Sequence, residues 1–104
     1  MPARREFRFD IPPHVADVVR HLPPDVKRGV RAALRELGAN PDLGQRLVRE
    51  LEGSWKYRVR RFRIVYAVER RARIIRVVAV VHRREIYDEA AALVRRQRGQ
   101  EPNA

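Results

Sequence analysis

The residues of this chain best equipped for chemistry are cations set at every second position. Lys56, Arg58 and Arg60 alternate with Trp55, Tyr57 and Val59. A period of two is that of a strand, so one face is cationic and the other apolar. In the next run Arg61 and Arg63 lie opposite a face made of Phe62, Ile64, Tyr66 and Val68. A third run, Ile74 to Val81, is apolar on both faces apart from Arg76, as suits a strand inside a sheet. It ends in the polar cluster His82-Arg83-Arg84-Glu85, followed by Tyr87. Arginine forks hold phosphate oxygens in pairs and keep their charge. Of the 24 basic residues only Lys27 and Lys56 are lysines, and an amine, unlike a guanidinium, can titrate. Like charges on its own face favour the neutral amine of Lys56, which is then a usable base. The carboxylates are scattered and the three histidines lie far apart, so the sequence offers no credible metal site.

These residues need a sheet to hold them. The three runs read as consecutive antiparallel strands, turning at Arg60-Arg61 and again at Arg70-Arg71-Ala72-Arg73. Arg60-Arg61 is poor turn chemistry, because tight hairpins favour Asn-Gly or Asp-Gly. Upstream, Glu6 to Ile11 alternates Phe7, Phe9 and Ile11 with polar residues, a short strand stopped by Pro12-Pro13. His14 to Leu22 has Val15, Val18, Val19 and Leu22 at helical spacing. Pro23-Pro24-Asp25 breaks that helix, and a second runs to about Leu37 on a stripe of Val26, Val30, Ala33, Leu34 and Leu37, with Gly38 as a C-cap. Asn40 to Gly44 is turn-rich, and Gln45 to Glu52 fits either a helical turn or an extended lead-in. Asp88 to Arg96 predicts a last helix with Ala90, Ala91, Leu93 and Val94 inward, and 99–104 a frayed tail. The expected fold class is α+β: an N-terminal strand, a helical hairpin, a three-stranded antiparallel meander and a C-terminal helix. Residues 1–98 form one domain with the helices on one face, and the cationic face is free or only partly covered by the last helix.

A chain of 104 residues suits one modest core, and 44% hydrophobic content is ordinary for a globular protein. The absence of cysteine excludes disulfides, Cys-zinc sites and thiol nucleophiles. The amino terminus has no apolar signal segment, and no run approaches the roughly 20 residues of a membrane helix, so a cytoplasmic protein is expected. A net charge of +11 and a pI near 11.5 mark a domain that seeks phosphate, an acidic partner or both. A concave cationic sheet suits a curved polyanion. The bland alternative is a cationic face that is merely solvated.

Leu51 to Val59, Phe62 to Tyr66 and His82 to Tyr87 together resemble the RelE/ParE superfamily of bacterial and archaeal toxins. The likeness is good over residues 47 to 90, and the paired helices fit the same layout. It departs at Arg60-Arg61, where relatives often carry a Gly-containing turn, and at Val81, where they often have Gly. Within that superfamily the RelE branch cuts messenger RNA in the decoding site of the ribosome, and the ParE branch poisons DNA gyrase. The positions matching the nuclease set are Lys56, Arg58, Arg63, Arg83 and Tyr87, so the resemblance implies a RelE-type mRNA interferase that needs no cofactor. Cleavage of RNA requires a deprotonated 2′-hydroxyl, a stabilised phosphorane and a protonated leaving oxygen. Lys56 is the candidate base, Arg63 and Arg83 the candidate phosphate holders, and His82 or Arg83 the proton source. Tyr87 stacks on a splayed base, bonds to phosphate, or simply anchors the last helix. Arg58, Arg60, Arg61, His82 and Arg84 are the candidate RNA contacts. The partners implied are a cognate acidic antitoxin, the ribosome and its message. The alternatives are a protein-binding toxin acting on gyrase and a non-catalytic RNA-binding module on the same scaffold.

Overall fold

The computed structural model describes residues 6–47 and 53–85. Proline starts both helices: Pro13 opens α1 (Pro13–Arg20) and Pro24 opens α2 (Pro24–Ala39). At the first helical position a missing N–H costs nothing and the ring has already set a helical φ. The expected stripe of α2 is realised, with Val26, Val30, Ala33 and Leu37 buried. Gly38 is not the C-cap. It lies buried inside α2, and the helix ends at Asn40, whose N–H donates to the Glu36 carbonyl. A Cβ on Gly38 would stand 3.3 Å from Phe9 Cε2, and the Gly38 carbonyl accepts from Phe7 N–H at 2.9 Å. That glycine serves the close approach of the first strand to the helix.

The sheet has five strands in the order β1-β5-β4-β3-β2. They are β1 (Arg8–Asp10), β2 (Gln45–Arg46), β3 (Ser54–Val59), β4 (Phe62–Glu69) and β5 (Ile74–His82). The expected meander is β3-β4-β5, antiparallel throughout. The sheet as a whole is mixed, because β1 is shorter than Glu6–Ile11 and pairs in parallel with β5, Phe9 opposite Ile75. A parallel partner requires a long crossover, and the helical hairpin supplies the start of one. Gln45 and Arg46 take the extended alternative, pairing with Lys56 and Trp55. The helix expected over Asp88–Arg96 and the tail at 99–104 lie outside the described residues.

Both helices cover one face of the sheet. Val15, Val26, Val30, Ala33 and Leu37 meet Val59, Ile64, Tyr66, Ile75, Val77 and Val80 in one cluster. On the opposite face Val65, Ala79 and Val81 are also buried. The middle of that face is therefore closed to solvent, and its cations stand at the hairpin end. The continuous apolar run of β5 has a second cause besides its central place. The register shifts between Val65 and Tyr66, which face Ala79 and Val77, leaving Val78 as an extra residue on β5.

Candidate functional site

Cross-strand register decides which cations meet. Lys56 faces Val65 and Arg58 faces Arg63, so Lys56, Arg58 and Arg63 share the face away from the helices. They line an open groove of about 530 Å³ together with Leu43, Gly44 and Gln45. Lys56 and Arg63 are half-buried and Arg58 is exposed. The Arg63 guanidinium is tied to the hairpin turn, with Nη1 donating to the carbonyls of Phe62 at 2.9 Å and Arg60 at 3.2 Å. Burial pushes its pKa down, and the charges of Arg58 and Arg83 push it further the same way. Arg83 is brought to this end because its backbone N–H donates to the Arg61 carbonyl at 2.7 Å, closing β5 onto the β3–β4 turn. Four of the cations singled out in the sequence thus gather at one corner of the sheet.

The groove's second wall is a loop that a buried tyrosine holds in place. Tyr66 is fully buried; its hydroxyl donates to the Pro41 carbonyl at 2.8 Å and accepts from Gly44 N–H at 3.0 Å. Those bonds seat the 3-10 turn Pro41–Leu43 and the start of β2 against β3. Gly44 has no room for a side chain: a Cβ would fall 2.3 Å from the Tyr66 hydroxyl and 2.7 Å from the Lys56 carbonyl. Burial above all raises the Tyr66 pKa to about 12, so the hydroxyl remains a neutral donor. Tyr57 anchors the same strand from the other side, its hydroxyl donating to Glu36 Oε1 at 2.8 Å. Sequence reasoning passed over Tyr66, Gly44 and Gln45. The turn-rich composition of 40–44 was visible, but nothing local marks a contact with a tyrosine 22 residues away.

The other candidates are dispersed around this corner. Arg60 does not continue the cationic face. It is the first turn residue, with φ 54°, and its guanidinium lies 3.6 Å from Asp25 at the start of α2. Arg61 is exposed in the turn and offers its carbonyl to Arg83. His82 pairs with Phe62, meets its ring edge-on at 5.6 Å between centroids, and therefore sits on the face opposite Arg63. Its Nδ1 accepts from Arg84 N–H at 3.2 Å. Arg84 is exposed on the 3-10 turn Arg83–Glu85. Tyr87 lies outside the described residues. Among the described residues no three of His, Cys, Asp and Glu cluster in a way that would hold a metal ion. Nor is any described helix long and apolar enough to cross a membrane.

The family described as the ParE toxin of type II toxin–antitoxin system, parDE, matches residues 13–87. Among curated protein sequences none matches. Solved structures do. A free RelE double mutant from E. coli superposes with a TM-score of 0.70 at 20% identity, covering 88% of this chain and 97% of that one. The RelBE2 toxin–antitoxin complex from Mycobacterium tuberculosis gives 0.67 at 23% identity, covering 74% and 98%. The YoeB–YefM complex from Staphylococcus aureus gives 0.63 at 15%, covering 73% and 95%. At such identities the likeness shows a shared fold.

Proposed function

The chain belongs to the ParE toxin family of type II toxin–antitoxin systems, within the RelE/ParE superfamily, and from the cations gathered at its hairpin corner we propose that it is a metal-independent endoribonuclease cutting messenger RNA on the ribosome. The observation that carries the proposal is the grouping of Lys56, Arg58 and Arg63 in one groove with Arg83 beside them. Lys56, as general base, takes the proton of the 2′-hydroxyl, whose oxygen attacks the adjacent phosphorus. Arg63 and Arg83 hold the non-bridging oxygens as charge builds on the phosphorane, with Arg58 beside them on the RNA backbone. The bond to the 5′-oxygen breaks, and that oxygen takes a proton from Arg83. The products are a 2′,3′-cyclic phosphate and a free 5′-hydroxyl. The arginines of this scheme are cations, so the metal's usual task of neutralising phosphate charge is already filled. Tyr87 belongs to the same site on the strength of the resemblance. The same surface would be silenced by an acidic antitoxin, as the charge of +11 favours.

Programmed ribosomes, a labelled message and excess EDTA, with polyamines keeping the ribosomes intact, test this reading. Cleavage should persist, leave the cyclic phosphate and stop when the cut site is 2′-deoxy. Lys56→Ala should slow the cut severely, and Lys56→Arg should restore charge without a comparable base. Cleavage of the deoxy substrate, or loss of activity to EDTA, contradicts the mechanism. The family match itself keeps one rival in view, since it is to ParE toxins. No cleavage of any message, together with inhibition of gyrase, moves the protein to that reading.

A further inference from the structure

A second groove, of about 340 Å³, lies on the other side of the β2 edge and includes Arg46, Gly53, Ser54, Trp55, Val68 and Arg70 in its lining. Its floor is aromatic. Trp55 stacks on Tyr66 with 6.2 Å between ring centroids and planes 19° apart, and Arg46 holds its guanidinium carbon 5.2 Å above the indole. Trp55 is only partly buried and Arg46 is exposed. Arg70 stands at the margin, paired with Asp42. We propose that this groove binds a nucleotide of single-stranded RNA, the base taking the place of the Arg46 guanidinium over Trp55 and that guanidinium then holding the phosphate, while Arg70 stays paired with Asp42; the inference rests on RNA being the substrate of the cationic groove.

Three observations favour this occupant. The described lining combines one aromatic plane with the exposed Arg46 guanidinium over it, Arg70 standing paired with Asp42 at the margin, and an aromatic beside a guanidinium is the pairing that stacked bases and backbone phosphates select. The volume sits at the small end of ligand sites, suiting one nucleotide better than a partner's helix. Finally, Gln45 pairs with Lys56 and Arg46 with Trp55, so neighbouring residues of β2 deliver the two grooves to opposite faces of one short edge. An RNA strand passing over that edge places nearby nucleotides in both. The scissile phosphate then lies at Lys56, and the second groove fixes the strand's position relative to it.

Trp55 is the chain's only tryptophan and so reports on its own site. The probe is a pentanucleotide with 2′-O-methyl ribose, which no 2′-hydroxyl mechanism can cut, carrying a terminal dye for anisotropy. Tryptophan emission should be quenched along the same isotherm as the anisotropy. Arg46→Ala should weaken the quench at least about threefold, the exposed guanidinium being free to change without loss of the core. Binding seen by anisotropy with no change in emission overturns the proposal, as does a quench that Arg46→Ala leaves intact. A quench produced by an acidic peptide and not by RNA assigns the groove to a protein partner and overturns it too. The nuclease reading is judged separately by cleavage on ribosomes. Cleavage without quenching removes the groove alone, and quenching without cleavage removes the nuclease alone.

Discussion

Arg61 and Arg63 carry the same charge two positions apart, yet their surroundings give them different work. Arg63 is half-buried, bonded to two carbonyls of the turn, and pressed by Arg58 and Arg83. Arg61 is exposed, and its backbone does the local work by accepting from Arg83 N–H. Removing a donor that meets the phosphorane typically costs a factor of about a hundred to a thousand in rate. Arg63→Ala and Arg83→Ala should each lose activity on that scale in single-turnover cleavage on programmed ribosomes. Arg61→Ala should change affinity and salt dependence and leave the cleavage step nearly as fast. Equal losses for all three, relieved equally at low salt, would mean that bulk charge and not a site is responsible.

At the scale of elements, the wall of the groove depends on one hydroxyl joining β4 to the loop before β2. Tyr66 donates to Pro41 and accepts from Gly44, and burial raises its pKa from 10.0 to about 12. A group whose pKa is raised by folding contributes stability in full below its unfolded value and loses it as pH climbs through the folded one. The protein should therefore lose stability as pH climbs from about 10 to about 12. Tyr66→Phe should cost about 1–3 kcal/mol at neutral pH by orphaning the Gly44 N–H, and should flatten the alkaline fall in denaturant midpoint. What slope remains belongs to Tyr57, whose pKa is raised by its bond to Glu36. An unaltered slope in Tyr66→Phe would dismiss the clamp. The strands β3 and β4 were legible because alternation at period two survives any partner: Trp55, Tyr57, Ile64 and Tyr66 had to share a face. Three features were not legible, since each is set by residues distant in sequence. The parallel seat of β1 depends on β5, Gly38 is dictated by the packing of Phe9, and the bulge at Val78 shows only once β4 lies alongside. Arg60 fits two patterns in the sequence, and the turn expected at Arg60-Arg61 wins over the alternation that continues on paper after Val59: the chain there turns at φ 54° and carries the side chain toward Asp25.

Over the whole molecule, a net charge of +11 says how strongly the surface attracts polyanions but not where. Arg76 shares the face of the cationic groove but is bonded to Asp10 at 3.3 Å and lies against Glu69, so its charge is already compensated. Arg20, Arg60 and Arg70 likewise stand beside Asp17, Asp25 and Asp42. Among the described residues Lys56, Arg58 and Arg63 have no such ion pair, so their charge is unspent where they meet at the β3–β4 hairpin. Binding of a single-stranded RNA releases counterions in proportion to the phosphates neutralised, with a slope of about 0.7 in log K against log salt for each. Arg58→Gln and Arg76→Gln remove the same charge from the same total. Arg58→Gln should lower the salt slope by about 0.7, having given up one phosphate contact. Arg76→Gln should leave the slope where it was, because its charge is spent on Asp10 and Glu69. The measurement is a titration of an uncleavable RNA at several salt concentrations. Equal changes in slope for the two variants would show that RNA responds to the total charge, and the hairpin corner would lose its claim to be the place where phosphate is received.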